Sequence, residues 1–155
     1  LKIVLLGIGP LMQQSRERIA RTSLASRIQF AGDVADVRPY LWAMDVGCLT
    51  PGSNEGFSNA VLEQMAVGLP MIVSNVGGNA EAVIDGVTGL VVPPLDAAAL
   101  SEALVALHAD RARATAMGRA SRVRVEECFS LQRMCTEHTK LYLALCGRPA
   151  GARAS

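Results

Sequence analysis

At 155 residues, half of them hydrophobic and 19% charged, the chain is long enough for one core and has a globular rather than a disordered composition. Its net charge of +1 argues against a dedicated nucleic-acid binder, which advertises a basic surface. The longest apolar strand, IVLL at Ile3–Leu6 with Ile8 after a glycine, is too short to span a bilayer and lacks the flanks of a secretion signal. Leu1 in place of Met points to an internal start.

In chain order, KIVLLG predicts a strand, followed by a helix from about Leu11 to Leu24, the strand RIQFAG, and a short helix near Val37–Met44. DVGCLT follows as a strand, then a helix over Ser58–Val67, the strand PMIVS, a turn of helix near Glu81, and the strand GLVVP. Short apolar runs separated by helices predict buried parallel strands in an α/β sheet. After Pro94 the pattern is helical. Asp96 is the expected N-cap of a helix whose stripe is Leu100, Ala103, Leu104 and Leu107. Further helices are expected over Arg111–Glu127 and, behind Ser130, over Leu131–Leu145, each with the periodicity of a helix packed on a sheet. Residues 1–146 thus read as one domain, and Gly147 onward, GRPAGARAS, as a frayed tail.

Cys48, Cys128, Cys135 and Cys146 show no C-x-x-C spacing, and His108 and His138 sit far from any cluster. Buried thiols in a reducing cytoplasm are the simple reading, and neither a disulfide framework nor a metal site is expected. GIGP at Gly7–Pro10 imitates the start of a dinucleotide fingerprint, but Met12 stands where G-x-G-x-x-G needs its third glycine. A tight strand-to-helix turn explains it better than NAD binding.

Charge is unevenly distributed. Between Pro39 and Asp110 there is no Lys or Arg, while Asp45, Glu55, Glu63, Glu81, Asp85, Asp96, Glu102 and Asp110 are acidic. Within that window lies EGFSNAVLE, Glu55–Glu63. Gly56 permits a sharp turn or close approach to a ligand, Ser58 is a fair N-cap, and Gly68-Leu69-Pro70 stops the helix. The N–H groups around Ser58, Asn59 and Ala60 then point out of the helix start, where donors and a partial positive charge attract anions. Glu55 lies in the loop leaving a strand, at the carboxyl edge where open α/β sheets bind ligands. Glu63 comes about 1.4 turns after Ser58, on the stripe of Asn59 and Val67 and opposite Val61, Leu62, Met65 and Ala66. Partial burial of Glu63 is expected, with sugar hydroxyls as donors to it. A surface Glu on an ordinary helix fits the spacing equally well.

The wider stretch EGFSNAVLEQMAVGLPMIVSNVGGNAEAVIDGVTGLVVP resembles the donor-binding half of retaining glycosyltransferases with the GT-B fold, in the large group 1 family marked by E-x7-E. Glu55 and Glu63 have that spacing, and Gly56-Phe57, Asn59, Leu62-Glu63, Met65-Ala66, Gly68-Leu69-Pro70, Gly77-Gly78, Glu81, Asp85-Gly86 and Gly89 follow in order. Upstream, Gly7-Ile8-Gly9-Pro10 and Phe30-Ala31-Gly32 also match. The likeness covers roughly Ile3 to Tyr142.

The resemblance implies a Rossmann-like parallel sheet, half of a GT-B fold. It implies that Glu55 bonds hydroxyls of the donor sugar and carries the catalytic assignment. Glu63 would bond the ribose, and backbone amides from Phe57 to Ala60, with Ser58 and Asn59 between them, would approach the sugar and diphosphate. The base would meet the loop Asp33–Asp36 through Val34, with Asp36 and Arg38 placed to add selectivity or, equally, to begin a helix. Gly77-Gly78 as a tight turn and Glu81 as a helix-starting acid are the favoured structural readings. The implied partner is a nucleotide-diphosphate sugar, with no cofactor and no metal.

That family supplies an Arg and a Lys for the diphosphate from a first strand and helix that would precede Leu1, and an amino-terminal acceptor domain before those. On this reading the chain is truncated and inactive by itself, and the lost strand would lie between Ile3–Leu6 and Val46–Thr50, leaving those two unpaired with each other. A cytoplasmic location, peripheral to the inner face of a membrane, is compatible with the resemblance. The alternatives are half of a sugar-nucleotide epimerase, or a non-catalytic module that holds a nucleotide or a partner.

Overall fold

The computed structural model describes residues 1–53 and 55–147, so all of the expected tail beyond Gly147 lies outside the described residues. The chain divides into two compact units, Leu1–Tyr40 and Leu41–Ser155.

In the first unit β1 (Ile3–Leu6) pairs in parallel with β2 (Ile28–Gly32), aligning Ile3 with Ile28 and Leu5 with Phe30. Between them run α1 (Met12–Ala20) and a 3-10 turn at Ala25–Arg27. The helix ends four residues before the expected Leu24, because Thr22 bonds back to the Ile19 carbonyl through both its amide (2.9 Å) and its hydroxyl (2.8 Å). β1 is not buried as a parallel strand was expected to be. Ile3 and Leu5 are exposed, since α1 contributes no buried residue to cover them. The GIGP segment forms the turn from β1 into α1, with the Gly7 amide donating to the Gly32 carbonyl at 2.7 Å.

α2 (Arg38–Trp42) leads into the second unit, whose strands β3 (Gly47–Leu49), β4 (Met71–Ser74) and β5 (Gly89–Val92) form a parallel sheet in that order. β1 and β3 belong to different sheets and do not pair with each other. The central strand β4 is buried on both faces, and its alternation divides the core. Met71 and Val73 pack with Val61 and Met65 of α3 (Asn59–Ala66) and with Ala82 and Val83, around α4 (Asn79–Ala82). Ile72 packs on the other side with Val92, Ala103 and Leu107 of α5 (Ala97–Ala109) and Ala114 and Met117 of α6 (Arg111–Cys128).

Asp96 caps α5 by accepting from the Ala99 amide at 2.9 Å, as expected, and Asp110 caps α6 by accepting from Arg113. Ser130 caps α7 (Leu131–Leu145) in the same manner. That last helix departs from expectation, because none of its residues is buried and Leu131, Met134, Leu141 and Leu145 are exposed. The cysteines also differ. Cys48, Cys135 and Cys146 are exposed and Cys128 is half-buried, so they are not core hydrophobes, and all four are free thiols. Cys135 and Cys146 lie on α7 or at its end, and that helix contributes no buried residue.

Ile72 is wholly enclosed, so removing its side chain deletes apolar burial and leaves a void. Ile72→Ala is expected to destabilise this unit by about 2–5 kcal/mol, measured by chemical denaturation.

Candidate functional site

The loop after β3 reaches Glu55 at the carboxyl edge of the β3-β4-β5 sheet. The turn after β4 lies against it. Ser74, buried at the end of β4, donates its hydroxyl to the Pro51 carbonyl at 2.7 Å, and the buried Asn79 amide donates to the Ser74 carbonyl at 3.3 Å. Gly78 then donates its backbone N–H to the Gly56 carbonyl at 2.8 Å. A Cβ at Gly77 would overlap the Glu55 carbonyl, and Gly77 also has φ +55. A Cβ at Gly78 would stand 2.7 Å from the Phe57 ring. Gly77-Gly78 is therefore a tight turn, and its glycines also admit the backbone that carries Glu55. Glu81 lies in the first turn of α4, as a helix-starting acid should.

Ser58 occupies the N-cap of α3 with extended backbone (φ −81, ψ 119), but its hydroxyl makes no capping bond. Its carbonyl accepts from Val61 and Leu62. The amides of Ser58, Asn59 and Ala60 have no acceptor among the described residues. The helix start therefore offers donors without a side chain filling the place of a ligand. Gly68, with φ +84, ends α3 as expected, its amide bonding the Met65 carbonyl.

Glu55 is half-buried, while Glu63 is exposed, which corrects the expected partial burial. Val61 and Met65 take the core-facing stripe at 0% exposure, and Glu63 lies two residues from each, about 200° round the helix. Gly56, Phe57, Asn59 and Ala60 are exposed, and Ser58 is half-buried. Among the described residues neither acid forms an ion pair. The cations nearest in chemistry come from α6: Arg111 pairs with Asp45 at 2.6 Å, and Arg124 donates to the carbonyls of Glu81 and Ala82. Among the described residues no group of three or more His, Cys, Asp or Glu is placed to hold a metal ion.

In the first unit, Val34 and Asp36 follow β2. Asp36 is held by Arg38, whose guanidinium bonds both carboxylate oxygens at 2.8 Å and whose amide bonds one at 3.0 Å. Those bonds from the Arg38 side chain and then its amide hold the carboxyl below the usual range. Being exposed, the pair contributes little, and what it contributes is lost only as pH falls through that lowered value. Asp36 precedes α2 and accepts from the amide of its first residue, Arg38.

A family model described as "Glycosyl transferases group 1" matches residues 1–110. The chain belongs to that family. Among curated relatives, a glycogen synthase of Mycobacterium tuberculosis is 35% identical over 134 residues, 86% of this chain and 32% of that protein. A lipopolysaccharide core biosynthesis mannosyltransferase of Rhizobium meliloti is 31% identical over 84% of this chain and 37% of its own length. The chain thus spans about a third of the length of these relatives.

Of solved structures, Anabaena HepE in complex with UDP superposes with a TM-score of 0.87 at 20% identity, over 93% of this chain and 41% of that one. Sucrose-phosphate synthase of Thermosynechococcus elongatus does so with a TM-score of 0.81 at 30% identity, over 93% and 38%. The architecture is that of GT-B glycosyltransferases. No helix among the described residues is long and apolar enough to cross a membrane.

Sequence reasoning did not find Ser74 or Asn79 as supports of this loop. The signal available was a polar residue ending an apolar strand, as Ser74 does in PMIVS. Gly77→Ala must relieve both a left-handed backbone and an overlap with a carbonyl. It is expected to cost about 2–4 kcal/mol of stability in denaturant titration.

Proposed function

We propose that this chain is the donor-binding part of a retaining, metal-independent glycosyltransferase that moves a sugar from a nucleotide-diphosphate sugar to an acceptor. The observation that supports it most is the unfilled start of α3, three N–H groups bracketed by Glu55 and Glu63, in a chain of this family. Relatives named as a glycogen synthase and a mannosyltransferase, and solved structures holding UDP and UDP-glucose, favour the same donor class.

In this reading the diphosphate rests against the amides of Ser58, Asn59 and Ala60. As the bond from the anomeric carbon breaks, the diphosphate takes the electron pair, and oriented N–H dipoles stabilise that charge without reorganising. The acceptor hydroxyl bonds the same carbon on the face the diphosphate leaves, and its proton passes to the departing phosphate oxygen. Glu55 holds sugar hydroxyls and orients the ring, which places it among the reacting groups. Glu63, exposed on α3, takes the ribose hydroxyls. The acceptor site and the diphosphate cations belong to the remainder of a longer protein, which acts in the cytoplasm, at a membrane's inner face if its acceptor is lipid-linked.

Calorimetric titration of the full-length protein separates the two acids. Glu63→Ala is expected to weaken a nucleoside diphosphate by about 1–3 kcal/mol, the value of a hydrogen-bonded carboxylate. Glu55→Ala is expected to leave the nucleoside diphosphate alone and weaken only the nucleotide sugar. Unchanged affinity in both variants would return the acids to the role of ordinary surface residues.

A further inference from the structure

Resting on the donor-binding reading, we propose that Arg124 and Phe129 are positioning residues, which set the Glu55 loop for the sugar and not for the nucleotide.

Arg124 is half-buried on α6 and pairs with no acid among the described residues. Its guanidinium instead donates from Nε to the Ala82 carbonyl at 2.8 Å and from a terminal nitrogen to the Glu81 carbonyl at 2.7 Å. Those carbonyls end α4, where unpaired acceptors and the helix dipole favour a cation. The same guanidinium lies over the Phe129 ring, 5.3 Å from its centroid, within range of a cation–π contact. Phe129 in turn meets Phe57, with ring centroids 5.1 Å apart and planes tilted by 48°, a favourable aromatic geometry.

Phe57 belongs to the loop between Gly56 and the start of α3. Phe57 is 41% exposed and belongs to neither core cluster. The loop is therefore held from two directions: the Gly77-Gly78 turn grips its backbone, and Phe129 grips its one large side chain. Arg124 joins the two, bonding the end of α4, whose start is the glycine turn, and facing Phe129. Glu63 needs none of this. It sits within α3, which Val61 and Met65 anchor in the core.

The consequence is selective. Without the aromatic brace, Glu55 and the Phe57 amide lose their fixed place, while the ribose acid keeps its own. Affinity for a nucleotide sugar should fall, and affinity for the free nucleotide should not. The test is calorimetric titration of the full-length protein with UDP, UDP-glucose, GDP and GDP-mannose as probes, using whichever pair the unaltered protein binds. Phe129→Ala is expected to weaken the nucleotide sugar about tenfold, as misplacement of orienting groups does, and to leave the free nucleotide within about twofold. Phe129→Tyr keeps the ring and should restore binding. Arg124→Lys should give a smaller loss, because one ammonium cannot serve two carbonyls and an aromatic face together.

If Phe129→Ala does not fold, as judged by circular dichroism, Phe129→Leu fills the volume without the ring and carries the same comparison. Equal weakening of nucleotide and nucleotide sugar would reduce the brace to general stability and overturn the proposal. So would unchanged sugar affinity in a protein where Glu55→Ala abolishes the sugar's contribution. Failure of the unaltered protein to bind any of the four probes would instead sink the donor reading itself.

Discussion

The amide of Gly78 meeting the carbonyl of Gly56 at 2.8 Å, with Gly77 pressed on Glu55, is the contact on which the site rests. Two backbones can approach so closely only where no side chain intervenes. The approach is fixed from below by β4, whose buried residues hold the strand on both faces and whose Ser74 ties its end to the Pro51 carbonyl. The position of one carboxylate in a surface loop is thereby inherited from the most enclosed strand in the unit.

The missing positive charge in the acidic window finds a partial answer in the fold. Arg111 and Arg124 return to the window from α6, but one goes to Asp45 and the other to backbone carbonyls. Among the described residues Glu55 and Glu63 stay without a cation. An ion pair there would occupy the hydrogen-bonding capacity that a hydroxylated ligand needs, since each carboxylate oxygen has a limited number of acceptor sites. Leaving both acids open costs little where water reaches them.

Much of the fold was legible because hydrophobic periodicity is a local property. The five strands and the helices over Ser58–Val67, Arg111–Glu127 and Leu131–Leu145 were read from runs and stripes, and Asp96 and Ser130 cap as their residue types suggest. The failures involve what lies across space. α7 has the stripe of a packed helix, yet periodicity says only that a face is apolar, not that a neighbour covers it. Burial of Glu63 was inferred from its apolar neighbours along the chain, although Val61 and Met65 point elsewhere. Ser58 has a capping residue's identity and position but not its bond. The support from Arg124 spans 42 residues to Ala82, a separation over which one sequence carries no pairing signal.

One geometric fact about α6 reaches further. Its 18 residues make a rod of about 27 Å, tied at Arg111 to Asp45, at Ser121 to the Thr88 carbonyl just before β5, and at Arg124 to the end of α4. With Ala114, Met117, Gly118 and Ser121 all buried between those ties, the helix has no free arm. Phe129, the residue that follows it, therefore takes its place against Phe57 from those anchors. A packing change at Ser121 or Gly118, on the far side of the sheet from the loop, would thus be felt at the Phe57 ring.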